Sequence, residues 1–109
     1  DVDTGIRRGS DNVFADLGRA DAATHKLKAE LAQKIRTVLR DRGLTQTEAA
    51  RRMGLSQPDV SKLLQGKFRD LSLERLIRLI TRLEMDVDIT IRERGRAEGQ
   101  TFHLEAVPV

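Results

Sequence analysis

Gln46 and Gln57 are the two side chains best suited to recognition chemistry in this 109-residue chain. A glutamine amide donates and accepts at once, so it can bond in bidentate fashion to N6 and N7 of an adenine. Gln57 falls in what reads as the first turn of a short helix, the end that can enter a groove. Gln46 opens the helix before it, where backbone N–H groups and a side-chain amide can together hold a phosphate. Thr45 and Ser56, one residue before each glutamine, carry hydroxyls suited to the same ends. Ser61 and Lys62 fall on the exposed side of the second short helix and can reach bases or sugar-phosphate. Lys67 and Arg69, just beyond it, suit phosphates. Arg51 can reach the backbone, or can be solvated together with Arg52. Asp59 can accept from cytosine N4 or cap its own helix, and capping is slightly favoured.

Such side chains need a scaffold that presents two helix starts side by side. Counting Gln46 as the first position, Ala50 is fifth, Gly54 ninth, Val60 fifteenth and Leu63 eighteenth. A small residue allows two helices to cross closely, and glycine accepts the positive φ of a tight turn. Val60 and Leu63 then face inward and hold the second helix. This is the spacing of a helix-turn-helix that reads DNA. Most of the matching positions are structural and would serve any helical hairpin; the outward set Gln57, Ser61 and Lys62 is what points to DNA.

The flanking elements follow from periodicity. From about Ala22 to Arg42, Leu27, Leu31, Ile35, Val38 and Leu39 recur at spacings of three and four, one face of a helix. Gly43 terminates it. Thr45 with Glu48 three residues on forms a capping box for a helix running to about Met53. Ser56 caps the next, with Pro58 tolerated in its first turn and Asp59 at the third position, to near Gln65. A fourth helix runs from near Ser72 to about Glu84 and carries Leu73, Leu76, Ile77, Ile80 and Leu83. The period then becomes two. Val87, Ile89 and Ile91 alternate with Asp86, Asp88, Thr90 and Arg92, a strand. After a charged loop from Glu93 to Gly99, Phe102, Leu104 and Ala106 form a weaker second strand. Before all this, residues 1–12 read as a polar arm. Val13–Gly18 reads as one apolar turn that packs Phe14 and Leu17 on the body.

The expected organisation is therefore an N-terminal arm and short apolar segment over 1–18, a helix-turn-helix domain over 19–85 and a β appendage over 86–109. The fold is mainly α, a bundle of four to five helices with a C-terminal strand or hairpin. A lone hairpin is marginal in water. Its apolar residues must pack on the fourth helix or pair with a second subunit, and a contribution to a homodimer is expected. A two-fold dimer would set two reading helices about 34 Å apart, one turn of DNA. The arm, with Arg7 and Arg8, can enter a minor groove, dock on a partner or stay disordered, and disorder is favoured. Arg92, Arg94 and Arg96 read as a solvated turn balanced by Glu93 and Glu98.

Composition narrows the class. With 39% hydrophobic residues there is material for one modest core. A net charge of +3 agrees with a polyanionic partner without proving one. The chain has no cysteine, which removes disulfides, thiolate metal sites and cysteine nucleophiles. No apolar run approaches a membrane span. The opening residues lack both signal-peptide character and an initiator Met, which reads as a chain beginning inside a longer one. A cytoplasmic protein is expected. His25 and His103 stand far apart, with no phosphate loop and no serine elbow, so no enzyme and no cofactor are expected. Asp86 and Asp88 can in principle hold a divalent ion, but solvated strand carboxylates are the favoured reading.

Residues 43–67 resemble the Cro/cI-type (XRE) helix-turn-helix family, whose fold is that of the lambda repressor. Gln46 and Gln57 match the two glutamines by which several phage repressors grip a phosphate and read an adenine. A longer set, Asn12–Gly18, Lys28–Ile35, Ser61–Lys67 and Ser72–Leu76, resembles the HigA-like antitoxin branch of that family. The resemblance covers about residues 10–92. It implies a repressor of its own operon, acting on a double-stranded and palindromic operator, that also neutralises a RelE/HigB-like ribonuclease toxin. Related proteins act as plain regulators with no toxin, and that is the alternative.

Overall fold

The computed structural model describes the backbone of residues 10–106 and the side chains of residues 21–106. Four helices precede a two-stranded sheet: α1 (Ser10–Asp41), α2 (Gln46–Met53), α3 (Gln57–Leu64), α4 (Leu73–Arg82), β1 (Val87–Ile91) and β2 (Gln100–Leu104). The expected mainly helical bundle with a C-terminal hairpin is the fold observed.

α1 differs from expectation. Its backbone is one continuous helix of 32 residues from Ser10, where the sequence suggested an isolated turn at Val13–Gly18 and a start near Ala22. The intervening stretch contains no proline. Ala20, Ala22 and Ala23 are strong helix formers, and one interior Gly18 costs only about 1 kcal/mol. The side chains of Phe14 and Leu17 lie outside the described residues, as do residues 1–9 of the expected arm, whereas residues 10–12, also read as arm, belong to α1. Leu27 is also corrected: it was expected to face the core, yet it is 43% exposed. Burial on α1 begins one turn later, with Ala32, Ile35, Val38 and Leu39.

The core lies where α1 and α4 pack on each other and on the α2–α3 pair. Ile35, Met53, Val60, Leu63, Leu76, Leu79 and Leu83 are fully buried there. Leu79 completes a stripe on α4 with Leu76, Ile80 and Leu83, whereas Leu73 and Ile77 are only half-buried. Among the described residues Thr81 is the buried polar one, and its hydroxyl donates to the Arg78 carbonyl at 2.7 Å, so its hydroxyl is not left unsatisfied.

Two arginines, Arg36 within α1 and Arg42 just past its end, tie the helix ends together. Arg36 Nη1 donates to the carbonyl of Leu64, the last residue of α3, at 3.3 Å. Arg42 Nη1 donates to the carbonyl of Leu83, at the end of α4, at 2.6 Å. Both satisfy carbonyls that have no partner within their own helix and place positive charge at a helix C-terminus. α1 itself closes in a Schellman motif at Gly43, where Gly43 N–H meets Arg40 O and Leu44 N–H meets Leu39 O, each at 3.0 Å. α4 closes on Glu84, which holds a left-handed φ of 65° without being glycine.

β1 and β2 pair antiparallel, with Val87 opposite Leu104, Ile89 opposite Phe102 and Ile91 opposite Gln100. The strands thus pair within one chain. Asp88 faces His103 on the other side at 2.7 Å, and the Thr90 and Thr101 hydroxyls meet at 2.9 Å. The hairpin touches α4 mainly through β1, and its apolar face is largely open. Ile89, Ile91, Phe102 and Leu104 are 43%, 63%, 47% and 46% exposed.

Candidate nucleic-acid interface

The interface begins with two matched helix starts. Thr45 has extended backbone, and its Oγ1 accepts the Glu48 N–H at 3.1 Å. In return the Thr45 N–H donates to Glu48 Oε1 at 3.0 Å, completing the capping box. The Thr45 backbone N–H, then its hydroxyl, then Arg51 and Arg52, hold the Glu48 carboxyl below its usual range. Ser56 repeats the pattern: its Oγ accepts the Asp59 N–H at 3.2 Å. Gln46 and Gln57 are consequently the first residues of α2 and α3, and both are exposed.

The turn between them is fixed by Gly54, at φ 69° and ψ 33°. The Leu55 N–H returns to the Ala50 carbonyl at 3.0 Å. Ala50 and Met53 of α2 and Val60 and Leu63 of α3 are buried together in the core. Scaffold and presented residues therefore separate as the spacing predicts. The scaffold is inside, while Gln57, Pro58, Asp59 and Lys62 are outside.

Other candidate residues fall in instructive places. Ser61 is half-buried, and its Oγ accepts from Gln65 Nε2 at 3.3 Å, so part of its hydrogen-bonding capacity is used within the helix. Asp59 takes part in capping through its backbone N–H, and its side chain borders a cleft of about 190 Å³ shared with Lys62, Lys67 and Arg75. Arg51 is exposed in the last turn of α2 beside Arg52. Lys67 and Arg69 are exposed on the α3–α4 loop. Among the described residues no group of three or more His, Asp or Glu side chains could hold a metal ion. No described helix is long and apolar enough to cross a membrane.

The structure adds two residues that the sequence did not single out for this face. Lys28 Nζ donates to the Arg69 carbonyl at 3.2 Å. The His25 ring packs on Phe68, with centroids 5.5 Å apart and planes inclined by 31°. Both come from α1 and lie some forty positions from their partners, so no local pattern could have joined them.

Comparison with known proteins agrees with this geometry. A family model described as a helix-turn-helix domain matches residues 13–92. A solved structure whose name assigns it to the XRE family of transcriptional regulators is 35% identical; the match covers 82% of this chain and 99% of that one, with a TM-score of 0.67. No curated protein matches the chain. The glycine turn, the two capped helix starts and these matches together show that the chain belongs to the XRE type of helix-turn-helix proteins.

Proposed function

We propose that this protein is a sequence-specific DNA-binding transcriptional repressor that acts as a homodimer. The observation that carries the reading is the exposed first turn of α3, held by a left-handed turn at Gly54 and capped by Ser56. A helix so presented can enter the major groove with its N-terminal residues on the base edges. Gln57 is the base reader, selecting adenine. Gln46 and Thr45 hold a phosphate at the start of α2, and Ser56, Ser61 and Lys62 line the groove. Asp59 has a carboxylate free to accept from cytosine N4. Arg51, Lys67 and Arg69 contact the backbone.

The hairpin supports the homodimer. Its four exposed apolar side chains amount to an open patch on the order of 400 Å². Below the patch, a cleft of about 690 Å³ separates Ile77 and Thr81 of α4 from Ile89 and Leu104. A second copy offers the same patch, and a two-fold contact between identical faces is self-complementary. Two such faces bury about 800 Å² before the polar rim is counted, which brings the contact near the ~1,000 Å² floor for a specific interface. The division into arm, reading domain and dimerising appendage, at residues 1–18, 19–85 and 86–109, belongs to this reading.

The likeness to HigA-like antitoxins extends the proposal: a cytoplasmic antitoxin that represses its own operon and neutralises a RelE/HigB-like toxin. A regulator with no toxin is the alternative, and the name of the similar solved structure accords with either. An electrophoretic shift against the protein's own upstream region tests the repressor, with a retarded complex expected and no shift overturning it. Co-expression with the neighbouring toxin-like reading frame tests the antitoxin. Growth rescue and co-purification are expected, and failure of both leaves the regulator.

A further inference from the structure

We propose that the DNA interface extends onto α1, where a cleft between α1 and the α3–α4 loop seats a backbone phosphate flanking the bases read by α3. The inference rests on the DNA-binding reading above and deepens it. The cleft measures about 410 Å³ and is lined by His25, Lys62, Lys67, Phe68, Arg69 and Asp70. Three cations thus border it against one carboxylate. Among the described residues, none of Lys62, Lys67 and Arg69 lies within ion-pair distance of a carboxylate. Like charges gathered at one cleft favour an anion, and a phosphodiester accepts from ammonium, guanidinium and imidazole N–H groups alike.

The site is also built. His25 and Lys28, one turn apart on α1, grip two consecutive residues of the loop, one by ring packing on Phe68 and one by a hydrogen bond to the Arg69 carbonyl. The loop is further closed on α3, where the Lys67 N–H returns to the Lys62 carbonyl at 2.9 Å. Gly66, at φ 82°, makes that return possible. Lys62 lies in the last turn of α3, so the cleft sits at the end of that helix opposite Gln57. A contact there fixes the register of the helix along the duplex without reading sequence. In this arrangement His25 touches the phosphate, while Lys28 is a positioning residue that holds the Arg69 backbone in place.

The test uses the full chain, a fluorescent duplex of its own upstream region and a shuffled duplex of the same length. His25→Ala and Lys28→Met should weaken binding to both duplexes alike, roughly 3- to 10-fold. Lys28→Arg, which retains a donor for the Arg69 carbonyl, should bind like the parent. Replacing single phosphates by neutral methylphosphonates should locate one flanking phosphate whose loss weakens the parent more than it weakens His25→Ala. Parental affinity in both variants, or a loss confined to the upstream duplex, overturns the α1 contact. Failure of the parent to bind any duplex overturns the DNA reading instead.

Discussion

Thr45 and Glu48 hold each other from both sides: the hydroxyl of one takes the N–H of the other, and the carboxylate returns the favour, at 3.1 and 3.0 Å. The bonds favour the ionised carboxylate, so its folded-state value is lower than the ordinary 4.5. A group depressed in the folded state contributes stability above its unfolded value and loses it as pH falls through the folded one. Glu48→Gln keeps an acceptor but cannot titrate. Urea midpoints of parent and variant should therefore converge as pH is lowered below about 4.5 and differ most near neutrality. A constant gap across that range would show that the cap does not depend on the charge.

Gly54 should resist replacement. Its φ of 69° lies where a Cβ meets its own backbone, and Gly54→Ala should cost about 1–2 kcal/mol. An added Cβ would meet only the flexible tip of Arg82, at 3.0 Å, so backbone strain rather than crowding sets the cost. Thermal melting should read a drop of several degrees, at ~4–8 °C per kcal/mol for a domain of this size.

Glu84 offers the opposite experiment. It adopts a φ of 65° with an exposed side chain. Glu84→Gly removes the left-handed strain and gives back part of the gain as added freedom in the unfolded chain. A net stabilisation of roughly 0.5–1 kcal/mol is expected from chemical denaturation. An unchanged or lower midpoint would mean that the Glu84 side chain itself contributes.

Base reading and phosphate holding should separate by mutation. Gln57→Ala should relax preference at a single base pair by ~1–3 kcal/mol, measured across a panel of operator variants. Lys67→Ala should weaken all members of the panel equally and flatten the salt dependence. If both variants match the parent on every duplex, α3 is not the reading helix.

The apolar hairpin face predicts a concentration-dependent dimer. Ile91→Lys combined with Phe102→Ser should shift sedimentation toward monomer while leaving helical circular dichroism intact, because both side chains are exposed in the single chain. DNA affinity should fall with the dimer. A variant that sediments as the parent does would place the subunit contact elsewhere.

Local chemistry made much of this fold legible. Hydroxyl caps at Thr45 and Ser56, glycines at 43 and 54, and the change of period at Val87 each act within a few residues, and each appears where its pattern puts it. The start of α1 was not legible, because Gly18 within an alanine-containing stretch reads equally as a stop or as a tolerated interior residue. Leu27 was misassigned because periodicity gives a face and not where the partner helices end. That Gln46 and Gln57 open α2 and α3 could be read from spacing alone. The Arg36–Leu64, Arg42–Leu83 and Lys28–Arg69 contacts could not, since they join residues 28 to 41 positions apart. Arg36 in this way fastens the end of α3.

The unbroken course of α1 has a mechanical consequence. At 1.5 Å per residue its 32 residues make a rod of about 48 Å, and the buried side chains among its described ones run from Ala32 to Leu39. A rod without a hinge moves as one piece, pivoting where Ala32, Ile35 and Val38 hold it in the core. Anything that grips the outer turns also sets the angle at which His25 and Lys28 meet the α3–α4 loop.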